Sequence, residues 1–129
     1  MTTHRNAGEL QDRLVLFGLS VCRALATLRR DPVVDHFARQ LLRSATSAAA
    51  NYGEARSAES RHDFIHKMQI CLKELRETDV WFRFLSGFGA LDCTKLRVEC
   101  NELTAIFVAS LKTAKRNQLL SKHHRTESC

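Results

Sequence analysis

The sequence predicts an all-α protein, folded as an antiparallel up-down four-helix bundle. Two observations predict it: apolar residues recur at helical spacing in four long segments, and one proline and five glycines leave few turns for a many-stranded fold. The 129 residues are enough for one core and too few for two. Helices of about 20 residues, each roughly 30 Å long and joined by short connections, pack as an up-down bundle.

The first helix is predicted at residues 8–29 and ends at Asp31-Pro32. Proline restricts the residue before it and has no N–H to donate, so the helix cannot continue through this pair. Arg29 and Arg30 suit the negative end of the helix dipole. The apolar stripe of this helix recurs every three or four residues and consists of Leu10, Leu14, Phe17, Val21, Leu25 and Leu28.

The second helix is predicted at residues 32–56. Its apolar face carries Leu41, Ala45, Ala48 and Tyr52 at helical spacing. The middle of the helix, Ser44–Ala50, contains only serine, threonine and alanine. Because small side chains let a neighbouring backbone approach, we expect the tightest helix contact here.

The third helix is predicted at residues 61–86. Ser60 followed by Asp63 is typical of a helix start, since the hydroxyl accepts from a free backbone N–H and the carboxylate suits the positive end of the dipole. Gly87 and Gly89 tolerate the left-handed geometry of a helix C-cap. The apolar face consists of Phe64, Met68, Leu72 or Cys71, Leu75 and Phe82.

The fourth helix is predicted at residues 93–120, with Asp92 as its cap. Residues 1–120 then form a single domain, and residues 121–129 are predicted to be a flexible polar tail. The apolar stripe of the fourth helix is Leu96, Cys100, Leu103, Phe107 and Leu111.

The composition indicates a soluble cytoplasmic protein that has no membrane partner. No apolar run approaches the roughly 20 residues that cross a bilayer, and the first residues lack the apolar segment of a signal peptide. The five cysteines are an odd number without a CxxC pair. We expect them to be reduced, as in the cytosol.

Extra apolar residues flank the predicted core stripes, which indicates self-association. A soluble protein with more apolar surface than one core uses generally buries the surplus in an interface. We therefore expect a homo-oligomer, with surplus residues that include Leu42, Ile65, Val80 and Val108.

The sequence shows no convincing catalytic, metal or cofactor site, and we expect no enzyme activity. His62 and His66 share a helix face in a string one methylene from the zinc-protease pattern HExxH. That chemistry needs a third ligand and a glutamate, and neither follows here, so solvated histidines are the favoured interpretation. Glu59 and His62 match half of a di-iron ExxH pair, but a second half is absent from the sequence.

A polar stripe on the second helix faces opposite charges on the third. Ser44, Ser47, Asn51 and Glu54 lie at i, i+3, i+7 and i+10. Two interpretations are open: a functional site, or a polar seam that fixes helix register or a subunit contact, which we favour. The charged residues that could meet this stripe are Arg43, Glu74 and Glu77.

Three aromatic residues near the end of the third helix cannot all face one core. Consecutive helical positions point about 100° apart, so if Phe82 is buried, Trp81 or Phe84 lies toward a groove or the surface. An exposed ring beside basic residues suits either stacking on bases or a subunit interface, and the interface is the commoner case.

A basic patch near the C-terminus is the candidate nucleic-acid contact. The net charge is +6, and the segment from Ser110 onward contributes a large share of it. Helical spacing places Lys112 beside both Lys115 and Arg116. An alternative stays open, in which these cations only complement the helix dipole and keep the protein soluble. The candidate binding residues are Lys112, Lys115, Arg116, Lys122 and Arg125.

Three blocks of sequence resemble a known family of bacterial proteins, first found as reading frames inside intervening sequences of 23S rRNA genes. The blocks are QLLRSATSAAANYGEA (Gln40–Ala55), S-x-x-DFI-x-K-x-x-I-x-LKE-x-x-ET-x-x-W (Ser60–Trp81) and LTAIFVASLKTAKRN (Leu103–Asn117). The likeness covers about residues 10–117. It departs from the family at the His62/His66 pair, where relatives have other polar residues.

The resemblance implies a four-helix bundle that assembles as a ring-like homopentamer. Related proteins include the accessory variability determinants of diversity-generating retroelements, which are basic pentamers that bind nucleic acid and a reverse transcriptase. The family has no recognised catalytic residue. The sequence therefore favours a non-enzymatic, homo-oligomeric bundle that binds RNA or DNA. The alternative is a protein adaptor or assembly factor, for example a partner of a mobile-element reverse transcriptase.

Overall fold

Four α-helices make up the part of the chain that the computed structural model describes, which is the backbone of residues 6–127 and the side chains of residues 6–123. In chain order they are α1 (Ala7–Leu25), α2 (Pro32–Arg56), α3 (Arg61–Gly87) and α4 (Thr94–Glu127). No strand occurs within residues 6–127, so the predicted all-α class is confirmed. None of the helices in this range is apolar over a length that could cross a bilayer.

Side-chain caps explain where the helices begin. A helix leaves its first backbone N–H groups without partners, and a serine, aspartate or asparagine oxygen accepts from them. The predicted cap of α3 is present, since Ser60 Oγ accepts from Asp63 N at 3.0 Å. The other three helices begin with comparable bonds, in which a side-chain oxygen accepts from a backbone N–H. Asn6 accepts from Glu9 at the start of α1, Asp31 from Val33 at the start of α2, and Asp92 from Thr94 at the start of α4.

The end of α3 has the glycine geometry that the sequence indicates. Gly89 has a φ of 81°, in the left-handed region where a side chain would be strained. The N–H of Ala90 donates to the carbonyl of Leu85 at 2.9 Å, which closes a Schellman-type turn. Gly87 is the last residue of α3 itself.

Two helix ends differ from the sequence prediction. α1 ends at Leu25, four residues earlier than predicted, where the N–H groups of Thr27 and Leu28 donate to carbonyls only three residues back. α4 continues from the predicted tail boundary to Glu127, because no glycine or proline interrupts residues 121–127. The predicted flexible tail is therefore helical as far as Glu127, and residues 128 and 129 lie outside the described range.

Most members of the predicted stripes of all four helices form the core. Five members are only partly buried against it: Leu25, Leu28, Phe64, Leu72 and Leu96. Ile65 corrects one expectation, because it is 7% exposed and belongs to this core rather than to a surplus surface. The small-residue segment of α2 packs closely against α1. A Cβ added at Gly18 of α1 would lie 3.9 Å from the carbonyl oxygen of Ala45. The largest fully buried side chains include Leu14, Leu41, Met68, Leu75, Phe82, Leu85, Leu103 and Phe107.

Polar contacts show which segments of the helices lie together. Arg43 pairs with Glu74, whereas Glu54, later in α2, pairs with Lys67, earlier in α3. Between α3 and α4, Arg97 pairs with Asp79 at 2.9 Å, near the end of α3 and the beginning of α4. The start of α3 lies beside the end of α4, since Arg61 donates to the backbone carbonyl of Asn117.

A three-residue ion cluster joins α1 to α4. Arg13 donates to Glu99 at 2.6 Å and to Glu102 at 2.5 Å. The hydrogen bond to Glu99 is the main cause that raises the pKa of the Arg13 guanidinium. Because these two helices share few other contacts, the cluster is the main polar link across this side of the molecule.

Candidate nucleic-acid interface

The first turn of α3 is tied to the last turns of α4. Ser60 fixes the start of α3, and Arg61 immediately follows it. Arg61 Nη1 donates to the backbone carbonyl of Asn117 at 2.8 Å. This bond holds the histidine-bearing start of α3 against the basic end of α4.

Two open grooves lie at this junction and share His62. The first has a volume of about 610 Å³ and is lined by Arg61, His62, Gln118, Ser121 and Lys122. The second continues along α3 and is lined by His62, Ile65, His66, Gln69, Lys115, Gln118 and Leu119. No aspartate or glutamate is among the described residues that line either groove, so the paired grooves, which we call the basic groove, attract anions.

The predicted basic residues occupy different positions relative to the basic groove. Lys115 and Lys122 line it, on the α4 side. Lys112 and Arg116 are exposed on the same helix. The side chain of Arg125 lies outside the described residues.

The sequence analysis missed the contribution of α3 to the basic groove. It interpreted His62 and His66 as solvated histidines and did not place Arg61 beside the basic patch. The signal that could have found them is topological: in an up-down bundle, the start of the third helix lies next to the end of the fourth.

The surroundings of His62 and His66 disfavour a metal ion. Lys115 shares a groove with both imidazoles, and a nearby ammonium group repels a divalent cation. Among residues 6–123, no three histidine, cysteine or acidic side chains lie close enough together to hold one. The absence of a metal remains a prediction, which metal analysis of the purified protein tests.

The predicted polar seam is assembled in part. Arg43 binds Glu74 at 3.0 Å and also pairs with Glu77, as expected. The hydrogen bond to Glu77 is the main cause that raises the pKa of Arg43. These ion pairs lie within one chain and join α2 to α3, which fits the interpretation that the seam sets helix register.

The remaining seam residues have separate partners. Ser44 is fully buried and accepts a hydrogen bond from Thr78 Oγ1 at 2.8 Å, a partner that the sequence analysis did not identify. Asn51 donates to the backbone carbonyl of Ser47 at 2.9 Å, within the same helix. The seam is therefore occupied by internal contacts and offers little free polar chemistry to a ligand.

The aromatic residues near the end of α3 are partly in the core and partly at the surface, as their helical spacing predicts. Phe82 is fully buried, whereas Phe84 is 49% exposed and Phe88 is 56% exposed. Trp81 and Phe84 pack with ring centroids 5.3 Å apart, and Phe37 of α2 lies 5.0 Å from Phe84. Together these four exposed and partly buried rings (Phe37, Trp81, Phe84 and Phe88) form an aromatic cluster at the end of α3 distant from the basic groove.

The described cysteines are free thiols with unequal access to solvent. Burial raises the pKa of Cys71 and of Cys100 to about 12, and it also raises the pKa of Cys93. A thiol with so high a pKa remains protonated and unreactive at neutral pH. Cys22 is the only partly exposed cysteine among residues 6–123, and Cys129 lies outside the described residues.

This difference predicts a simple labelling pattern. In the monomeric protein, in a Cys129→Ser background at pH 8, we expect a thiol reagent to modify Cys22 in minutes and the other three cysteines only after unfolding. Mass spectrometry of the native and denatured protein measures the number of labels. A Cys22→Ser control should abolish the fast label, and rapid native labelling of Cys71 or Cys100 would contradict the buried core.

Comparisons with known proteins agree with this architecture. Residues 13–109, well over half of the chain, match the model of the 23S rRNA-intervening sequence protein family. A crystal structure from Bacteroides thetaiotaomicron VPI-5482, of a protein with unknown function from the S23 ribosomal protein family, superposes with a TM-score of 0.71. The two sequences are 27% identical, and the alignment covers 80% of this chain and 98% of that chain. None of the curated proteins compared with the chain matches it.

Proposed function

Because the chain belongs to the 23S rRNA-intervening sequence protein family, we propose that it is a non-enzymatic, homo-oligomeric helical bundle of the cytoplasm that binds RNA or DNA. The observation that carries the binding proposal is the basic groove, where Arg61, His62 and His66 of α3 face Lys115 and Lys122 of α4. The family name supports a role connected with rRNA.

The proposed assembly is an antiparallel up-down bundle in a ring-like pentamer. The reversed order of contacts along α2 and α3, and along α3 and α4, supports the antiparallel arrangement. Self-association is supported by an apolar groove between α1 and α2, lined by Leu14, Val15, Gly18, Leu19, Cys22, Thr46 and Ala49. A ring would repeat the basic groove around its axis, and repeated sites strengthen binding to a long polyanion.

The chemistry of the basic groove favours contact with phosphates. Lysine and arginine side chains attract the backbone of any nucleic acid, and counterions are released when they bind. Contacts of this kind fix position without reading sequence. We therefore expect weak sequence selectivity and an affinity that falls steeply as salt increases.

The test compares wild type with a Lys112/Lys115/Arg116→Ala variant. Binding of labelled single-stranded RNA and duplex DNA is titrated at several salt concentrations. Each phosphate contact that is lost should lower the log–log salt slope by about 0.9 unit for duplex DNA and about 0.7 unit for the single strand. A matched control, Arg23/Arg39/Lys95→Ala, removes the same charge from exposed positions that do not line the basic groove.

The control separates a local contact from the effect of net charge. We expect the control variant to bind like wild type and the Lys112/Lys115/Arg116→Ala variant to bind weakly. Equal binding by both variants would remove this patch from the proposal. No binding by wild type would contradict the nucleic-acid function and favour the adaptor role, in which the main partner is another protein.

A further inference from the structure

One exposed face of α3 carries basic and neutral residues over nearly its whole length. The side chains of His66, Gln69, Lys73, Arg76, Val80 and Arg83 are all exposed, and they recur at alternating intervals of three and four residues. This spacing places them on one stripe of the helix. We call this stripe the α3 ridge, and it contains three permanent positive charges and no carboxylate.

The acidic residues in the second half of α3 lie on other sides of the helix and are neutralised there. Glu74 and Glu77 pair with Arg43 of α2. Asp79 pairs with Arg97 of α4 through two hydrogen bonds, at 2.9 and 3.3 Å. Since these carboxylates are engaged on both flanks, the positive charges of the α3 ridge face solvent with no counter-ion among the described residues.

The α3 ridge connects two features already described. Its first residue, His66, lines the basic groove. Its last residue, Arg83, lies beside Phe84 and Val80 at a shallow depression next to the aromatic cluster. A helix rises about 1.5 Å per residue, so the distance along the axis from His62 to Phe84 is about 33 Å.

We propose that the α3 ridge is a binding track for single-stranded nucleic acid, a proposal that rests on the nucleic-acid function proposed above. Phosphates lie along Lys73, Arg76 and Arg83, and an unpaired base stacks on the exposed ring of Phe84. The basic groove then holds one end of the strand, and the aromatic cluster holds a base at the other end.

The aromatic cluster is the reason to choose a single strand over a duplex. In a duplex the faces of the bases are stacked on each other, whereas an unpaired base can stack on a protein ring. Phe84 and Phe88 are half-exposed, and Phe37 and Trp81 pack against the ring of Phe84. A ridge with positive charge and no aromatic residue would bind a duplex as well as a single strand.

The first experiment removes the charges of the ridge. A Lys73/Arg76/Arg83→Ala variant, the Arg23/Arg39/Lys95→Ala control and wild type are titrated with a labelled single-stranded RNA and with the matching duplex. Loss of three phosphate contacts should reduce the log–log salt slope for the single strand by about two units. The control should retain the wild-type slope.

The second experiment tests stacking alone. Phe84→Leu keeps an apolar side chain but removes the ring, so we expect single-strand affinity to fall roughly 5- to 150-fold and duplex affinity to stay unchanged. Trp81 is the only tryptophan of the chain and packs 5.3 Å from Phe84. Its intrinsic fluorescence should therefore change when single-stranded RNA binds to wild type, and change less in Phe84→Leu.

The outcomes separate this inference from the function on which it rests. Wild-type binding that is weakened by Lys112/Lys115/Arg116→Ala but not by Lys73/Arg76/Arg83→Ala would overturn the track and leave the proposed function intact. Equal losses for single strand and duplex in Phe84→Leu would overturn the stacking. Failure of wild type to bind either probe would overturn the proposed function, and the track with it.

Discussion

Replacement of Phe82 by alanine is expected to lower the free energy of unfolding by about 3–5 kcal/mol, which is the usual cost of truncating a buried phenylalanine. Phe82 is fully buried, and its ring meets that of Phe17 edge to face, with centroids 6.2 Å apart. The substitution would leave a cavity between α3 and α1, where the close-packed neighbours can collapse only in part.

Urea denaturation followed by circular dichroism measures this change. Protein concentration must be held constant, because self-association would make the apparent stability depend on it. Phe88→Ala is the matched control: its ring is 56% exposed, so its loss should cost well under half as much. If Phe82→Ala does not fold, Phe82→Leu supplies the measurement with a smaller cavity. A loss for Phe82→Ala no larger than that for Phe88→Ala would contradict the core.

Local signals in the sequence predicted much of the fold because each acts over a few residues. The Ser60 and Asp92 oxygens, the Asp31-Pro32 pair and Gly89 all lie where the helices begin or end. The failures occurred where a local signal was weak or absent. Thr27 gave no clear stop for α1, and nothing in residues 121–127 marked an end for α4.

The candidate site was harder to predict because it combines two helices. The local charge and the helical spacing identified the basic residues of α4, but the Arg61–Asn117 hydrogen bond brings α3 to them. The α3 ridge was hidden for a related reason. In the sequence, Lys73, Arg76 and Arg83 alternate with Glu74, Glu77 and Asp79 and appear as an ordinary mixed-charge helix. The ion pairs with Arg43 and Arg97 show which charges remain at the surface.

The sequence predicted that apolar residues would remain exposed, but it located only some of them correctly. Leu42 and Val80 are exposed, as expected, whereas Ile65 belongs to the core. None of the surplus residues named from the sequence lies on α1, where Val15 and Leu19 are 44% and 43% exposed. The apolar stripe of α1 is wide enough to supply its share of one core. Whether residues just beside that stripe are buried or exposed depends on how α2 packs against α1, which the sequence does not show.

Leu19→Glu is expected to dissociate the proposed homo-oligomer. Leu19 lies in the apolar groove between α1 and α2, beside Val15, Cys22 and Ala49. If a second copy covers this groove, the new carboxylate is buried without a partner in every subunit contact. Such a charge costs about 3–5 kcal/mol, which weakens each contact by more than two orders of magnitude. Light scattering at several protein concentrations should show the wild-type assembly replaced by monomer.

The control must distinguish loss of the interface from loss of the fold or a general effect of charge. Val98→Glu places the same charge at a 57% exposed position on α4, away from the groove, and should keep the wild-type mass. Circular dichroism of Leu19→Glu should remain that of a folded helical protein, because Leu19 lies outside the buried core of the protomer. A wild-type monomer at micromolar concentration would contradict self-association itself. An intact oligomer in Leu19→Glu would instead show that the subunits meet elsewhere, since a carboxylate in a covered apolar groove has no route to water.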